Sequence, residues 1–200
     1  MKVSTGETVK FGRFGGEEIE WLVLASTGEE AFLLSKYALA CRPYHESAEP
    51  VTWASSSLRA WLNGAFFSEA FTAQEQEKIL STTVENRDHP DQHTPGGEDT
   101  EDRVFVLSLA AVANYFPERA SRICFPTQHA IDGGAHVATV EGAEGACWWW
   151  LRSPGRDKDR ATCVRSAGDL DENGRPAVMR AIAVRPVLWL DLIAIDKEIL

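Results

Sequence analysis

The sequence predicts an α+β domain in which a few helices are segregated from an antiparallel sheet. Three observations carry that expectation: the first third of the chain reads as strands, helical periodicity is confined to the middle, and everything after Cys147 alternates like strands and turns.

Each element follows from local pattern. In "KFGRFGGEEIEWLVLAS", Phe11 and Phe14 stand among glycines and Ile19 to Ala25 form a nearly continuous apolar run, which suits a strand buried on both faces. "EEAFLLSK" follows the turn "STGE", so Ala31 to Leu34 are expected antiparallel to Trp21 to Leu24. In "TWASSSLRAWLNGAFF", Leu58, Trp61, Leu62 and Ala65 recur at i, i+3, i+4 and i+7 behind a serine run able to cap the first turn, which predicts an amphipathic helix. Thr72 and Glu75 have capping-box spacing, so a second helix is expected from about Ala73 to Leu80. Glu85 to Asp102 lack apolar periodicity and hold two prolines, two glycines and seven acids, the composition of a long solvated loop. A short strand, Val104 to Leu107, is followed by a Ser108-capped helix with Leu109, Val112, Ala113 and Phe116 inward, closed by Pro117. "PTQHAIDGG" fits one or two helical turns ending on glycine. "ATCVRSAG" and "AVMRAIAVRPVLWLDL" alternate well enough to close the sheet, with the N-terminal and C-terminal strands expected side by side and two to three helices packed on it.

Composition bounds the function. The 200 residues, 44% hydrophobic and 25% charged, suit a single domain over 1–200 with a substantial core. A formal charge of −10 repels a phosphate backbone, so no nucleic-acid partner is expected. No apolar run reaches the roughly 20 residues that cross a bilayer, so no membrane insertion is expected. "MKVSTGETVK" has no signal-peptide pattern, which makes a cytoplasmic location the default expectation.

Motifs of chemistry are sparse. Cys41, Cys124, Cys147 and Cys163 form no C-x-x-C pair and read as buried apolar residues, with a Cys147–Cys163 disulfide across neighbouring strands left open. His89 and His93 flank Pro90 and Asp91, which argues for a solvated loop over a helical metal site. "DLDENG" opens like a calcium loop at Asp169, Asp171, Asn173 and Gly174, but the twelfth position is Arg180, so an Asn-Gly hairpin turn explains it better and no metal is expected. No G-x-S-x-G and no phosphate-cradling glycine loop is present, Ser153 precedes a proline, and no catalytic residue or cofactor is assigned. In "CWWWLRSPG", strand alternation sends Trp149 and Leu151 inward and leaves Trp148 and Trp150 on the other face. Trp61, Trp149 and Trp189 are expected to be largely buried. Arg59, Arg152 and Arg185, each beside apolar positions, read first as structural donors.

"TW…SLRAWLNGAFFSEAF…EQEKI", "DRVFVLS", "WWWLRSPG" and "VRPVLWL" together resemble a bacterial, Firmicutes-type family of unknown function placed with the C-type lectin-like fold, over roughly Thr8 to Leu192. The resemblance implies that fold and, with it, a non-enzymatic recognition module, such as a variable protein of the retroelement type, binding a protein or glycan ligand. An enzyme related to the formylglycine-generating proteins, using the late Cys147 and Cys163, is the alternative. On the first reading the ligand surface comprises Trp148 or Trp150, Arg152, Arg156, Lys158, Arg160, Asp169, Asp171 and Asn173. Alanine replacement of Arg156, Lys158, Arg160 and Asp171 is then expected to leave stability nearly unchanged.

Overall fold

The computed structural model describes residues 3–196. Two sheets enclose one contiguous hydrophobic cluster. The first runs in the order β1 (Thr8–Phe14), β2 (Glu17–Ser26), β3 (Glu30–Ser35) and β11 (Val187–Asp191), with every neighbouring pair antiparallel. The second has the order β4 (Ala40–Cys41), β10 (Ala183–Val184), β7 (Trp149–Pro154), β8 (Arg160–Val164) and β9 (Leu170–Pro176). Here β10 pairs parallel with β7, so the expected all-antiparallel set is mixed at one position. A separate ribbon joins β5 (Thr82–Val84) to β6 (Thr100–Asp102). The architecture is α+β as expected, and no helix among the described residues is long and apolar enough to cross a membrane.

The β2–β3 hairpin pairs antiparallel as expected, with Leu22 opposite Leu34 and Val23 opposite Leu33. Its burial departs from the two-sided expectation. Ile19, Trp21 and Val23 are buried while Glu20 and Leu22 are half-buried, so one face carries the core; a register shift between Val23 and Ala25 then brings Leu24 inside as well. The C-terminal strand β11 pairs with β3 in the sheet of the N-terminal strands, so the two chain ends' strands lie side by side as expected, with β1 at the far edge.

The first helix runs α1 (Ser57–Trp61), a π turn (Leu62–Phe66) and α2 (Phe67–Ala70), opened by the Ser56 hydroxyl accepting from the Arg59 amide. The wider π turn shifts the buried stripe to Leu58, Leu62, Phe66 and Ala70, four residues apart. Trp61 is therefore only half-buried and Ala65 is exposed, against expectation. Trp189 is also only half-buried, stacked on Phe32 at 4.9 Å. The Thr72–Glu75 capping box is present on α3 (Ala73–Gln76). That helix stops short of Leu80 because the chain turns to add to the edge of β11: Ile79 bridges Leu190, and the Leu80 amide donates to the Trp189 carbonyl. Both helices lie against β1. Gly12, at φ +72°, leaves room there for the Phe71 ring, which a Cβ would meet at 2.6 Å.

Val104 to Leu107 do not form the expected strand; Phe105 bridges Val187, and the Leu107 carbonyl accepts from the Arg152 amide at 2.9 Å. Then α4 (Leu109–Tyr115) is capped by Ser108 as expected, with Leu109 and Val112 inward and Ala113 exposed. The turns of "PTQHAIDGG" form α5 (Gln128–Asp132), capped by Thr127 and ended at Gly133. A final α6 (Leu192–Asp196) follows β11.

The acidic segment 85–102 is folded onto the domain instead of lying free in solvent, and its end, Asp102, is 1% exposed in β6. His89 is the pin. Its Nδ1 accepts from the Asp91 and Gln92 amides at 3.2 and 3.1 Å, so the proton sits on Nε2 and is donated to the Glu172 carbonyl at 3.0 Å. The Thr94 hydroxyl adds a bond to the Arg156 carbonyl. His89→Ala is expected to free the loop at a cost of about 1–3 kcal/mol, since three buried bonds lose their partner. Limited proteolysis with an Arg-specific protease checks this: faster cleavage after Arg87 is the expected result, and an unchanged rate would show that the loop is held by other contacts.

Candidate functional site

The site is built on β7, where the aromatic run enters the second sheet. Trp149 and Trp150 are both 0% exposed, because this strand is covered on both faces. The Trp149 indole donates to the Arg122 carbonyl at 3.1 Å and that of Trp150 to the Arg42 carbonyl at 2.9 Å. A register shift between Trp150 and Pro154 then turns the chain, so that Arg152 and Ser153 are half-buried at the lip of a cleft.

That cleft, of about 570 Å³, lies between the folded-down loop, α4 and the β7–β9 hairpins. Glu85, Asn86, Arg87 and Asp88 form its loop wall, Leu109, Ala110 and Ala113 its helical wall, and Arg152, Pro154, Leu170 and Glu172 its sheet wall. A shallower depression of about 320 Å³ lies on the other side of Arg152 and Glu85.

Two polar side chains in this wall are incompletely satisfied. Asn86 is 8% exposed; its amide nitrogen donates to the Glu98 carbonyl at 2.9 Å, while Oδ1 has no partner. Arg152 donates from Nη1 to the Val106 carbonyl at 2.9 Å and from Nη2 to the Glu85 carbonyl at 3.4 Å, lies 5.7 Å from the Phe105 ring, and leaves Nε without a partner. Burial pushes its guanidinium pKa down to about 10, against the partial compensation of neighbouring acidic groups. Ser153 Oγ accepts from the Leu109 amide at 3.0 Å and so serves to hold α4 against the sheet.

Of the nine residues expected to form a ligand surface, Arg152 alone lines this cleft. Trp150 is removed from that surface by its burial. Asp171 is corrected too: it is 4% exposed and accepts from Arg165 Nη2 at 2.9 Å and Arg175 Nε at 2.7 Å, so it cannot be replaced without cost. The same two arginines lie over the half-buried Trp148 ring, at 5.7 and 4.7 Å. The expected Asn-Gly turn is not the turn. Asn173 and Gly174 lie inside β9, where Gly174 at φ +71° approaches the Ala161 carbonyl too closely for a Cβ, and the β8–β9 reversal occurs at Arg165 to Asp169. The residues therefore divide between the two ends of β8. Arg156, Lys158 and Arg160 sit on the β7–β8 turn, with Asn173 accepting there from the Arg156 amide, while Asp169 pairs with Arg119 at the other end.

The cysteines are free, and no disulfide joins Cys147 to Cys163. Cys163 lies opposite Trp150, and the Cys147 backbone forms an antiparallel β-bridge with that of Cys124. Both are 0% exposed; the hydrogen bond to Cys124 and burial raise the Cys147 pKa, and burial pushes Cys163 up to about 12, which disfavours the thiolate form at both positions.

Sequence reasoning missed Asn86, Leu109 and Leu170 as cleft residues. Asn86 lies in a run polar throughout, and the pin that folds it over β9 is a contact between residues 83 positions apart. No curated protein and no solved structure matches the chain. A protein-family model matches residues 28–192, which covers β3 through β11 and every wall of the cleft, and the chain belongs to that family, described as a domain of unknown function, DUF6273.

Proposed function

We propose that the domain is a non-catalytic recognition module on a C-type lectin-like scaffold, taking its ligand in the cleft beside Arg152. The observation that carries this reading is the pairing of a concave, largely apolar wall with two unsatisfied polar side chains, Arg152 and Asn86. Binding sites commonly have that composition, an apolar lining with a few polar groups that fix orientation. The cleft wall contains neither histidine nor cysteine, and its two serines, Ser108 and Ser153, each accept from an α4 backbone amide, so no serine stands beside a histidine base there. The β7–β8 turn, with Arg156 and Lys158 exposed, adjoins the loop that walls the cleft and supplies the displayed surface of such a module.

A ligand-observed NMR screen with glycans, short peptides and small acids tests the reading. Ala113 is exposed on the helical wall, so Ala113→Trp fills the cleft without disturbing the core. Hits are expected to lose their saturation-transfer signal with that variant. Hits that bind it unchanged would place recognition elsewhere.

A further inference from the structure

We propose that the ligand of this cleft is a small monocarboxylate with an apolar body and one N–H or O–H donor, held by Arg152 and Asn86. The inference deepens the recognition reading above and rests on it.

Arg59, Arg165 and Arg175 reach inward to carboxylates: Arg59 donates to Asp102 at 2.6 Å, and Arg165 and Arg175 share Asp171. Arg185, 4% exposed, is sealed between the Phe116 and Trp149 rings and lines neither depression. Arg152 differs from all of them. Among the described residues it makes no ion pair, its hydrogen bonds go to two backbone carbonyls, one of them long, and it borders the larger cleft. A guanidinium has five N–H donors in a planar fork that matches a carboxylate. A partly buried cation without a counter-ion is the group whose desolvation an entering anion offsets best.

The rest of the wall narrows the class. Glu85, Asp88 and Glu172 against Arg87 make the remaining lining net acidic, which disfavours a doubly charged phosphate and tolerates a single negative charge at Arg152. Leu109, Ala113, Pro154 and Leu170 offer an apolar surface for the ligand's body. Asn86 Oδ1, an acceptor without a donor, fits an amide N–H or a hydroxyl. Both unpartnered atoms are covered by the wall, so a rotamer change of each side chain accompanies binding.

Isothermal titration of the whole protein with N-acyl amino acids and their primary amides tests this. The acids are expected to bind more tightly than the matched amides by about tenfold or more. Arg152→Gln abolishes that preference and Arg152→Lys retains part of it, with thermal melts confirming that both variants are folded. A purely structural role for Arg152 would leave the acid-to-amide ratio unchanged. If acid and amide bind equally and Ala113→Trp removes both, the cleft is the site and the carboxylate proposal falls. If binding survives Ala113→Trp, the cleft reading itself falls. Absence of any acid binding tighter than about 1 mM also overturns the proposal.

Discussion

Replacing Asp102 with alanine is expected to lower folding stability by about 3–5 kcal/mol, the range for breaking a buried ion pair from one side. The carboxylate is 1% exposed and gathers four donors from three separate segments. Arg59 Nε donates to it at 2.6 Å, the Trp53 indole at 2.8 Å, the Thr100 hydroxyl at 2.8 Å and the Asn63 amide at 3.3 Å. Removing it leaves a guanidinium and an indole N–H facing a void, so the cost is that of unsatisfied donors as well as a lost attraction. Asp102→Asn keeps the shape and one acceptor and is expected to recover part of the loss. Urea unfolding monitored by tryptophan fluorescence measures both, and a midpoint for Asp102→Ala equal to the parent's would show that the cluster is dispensable.

Trp150→Ala is expected to cost a similar amount, about 3–5 kcal/mol, as for other large-to-small changes in a packed core. Its ring is fully covered, meets Tyr44 edge-on at 5.8 Å, and spends its only donor on the Arg42 carbonyl. The same melt on Trp61→Ala provides an internal scale. Trp61 is half-buried, with Arg42 over its ring at 5.1 Å, so the loss there should be smaller. If Trp150→Ala melts like the parent, β7 is not covered on both faces and the tryptophan is free to meet a ligand.

The elements whose partners are close in sequence were legible in it. The β2–β3 pairing, the Ser56 and Ser108 caps and the Thr72–Glu75 box all depend on residues a few positions apart, or on one hairpin. What escaped is what long-range contacts decide. Asp102 reads as one of several acids in a polar loop, and only Arg59 and Trp53, more than forty positions away, make it a core residue. Asn173-Gly174 has the composition of a hairpin turn, yet it lies inside β9, with Gly174 packed closely against the Ala161 and Gly155 backbone. Of the site, Arg152 was legible as an arginine amid apolar neighbours. Asn86 was not, since nothing within the loop shows that it will be folded over β9.

The placement of the last two strands bears on how the chain can be made. β10 sits between β4 and β7 in one sheet, and β11 closes on β3 in the other while also taking bridges from Ile79 and Phe105. Neither sheet can be finished before residues 183–191 have left the ribosome, because both wait on the same short stretch. Until then β3 carries an unpaired apolar edge, Phe32 to Leu34, of the kind that pairs with other chains. Native contacts spanning about 150 positions, such as Leu34 with Val187, also make for slow closure. Synthesis therefore exposes this edge for as long as the remainder takes to emerge.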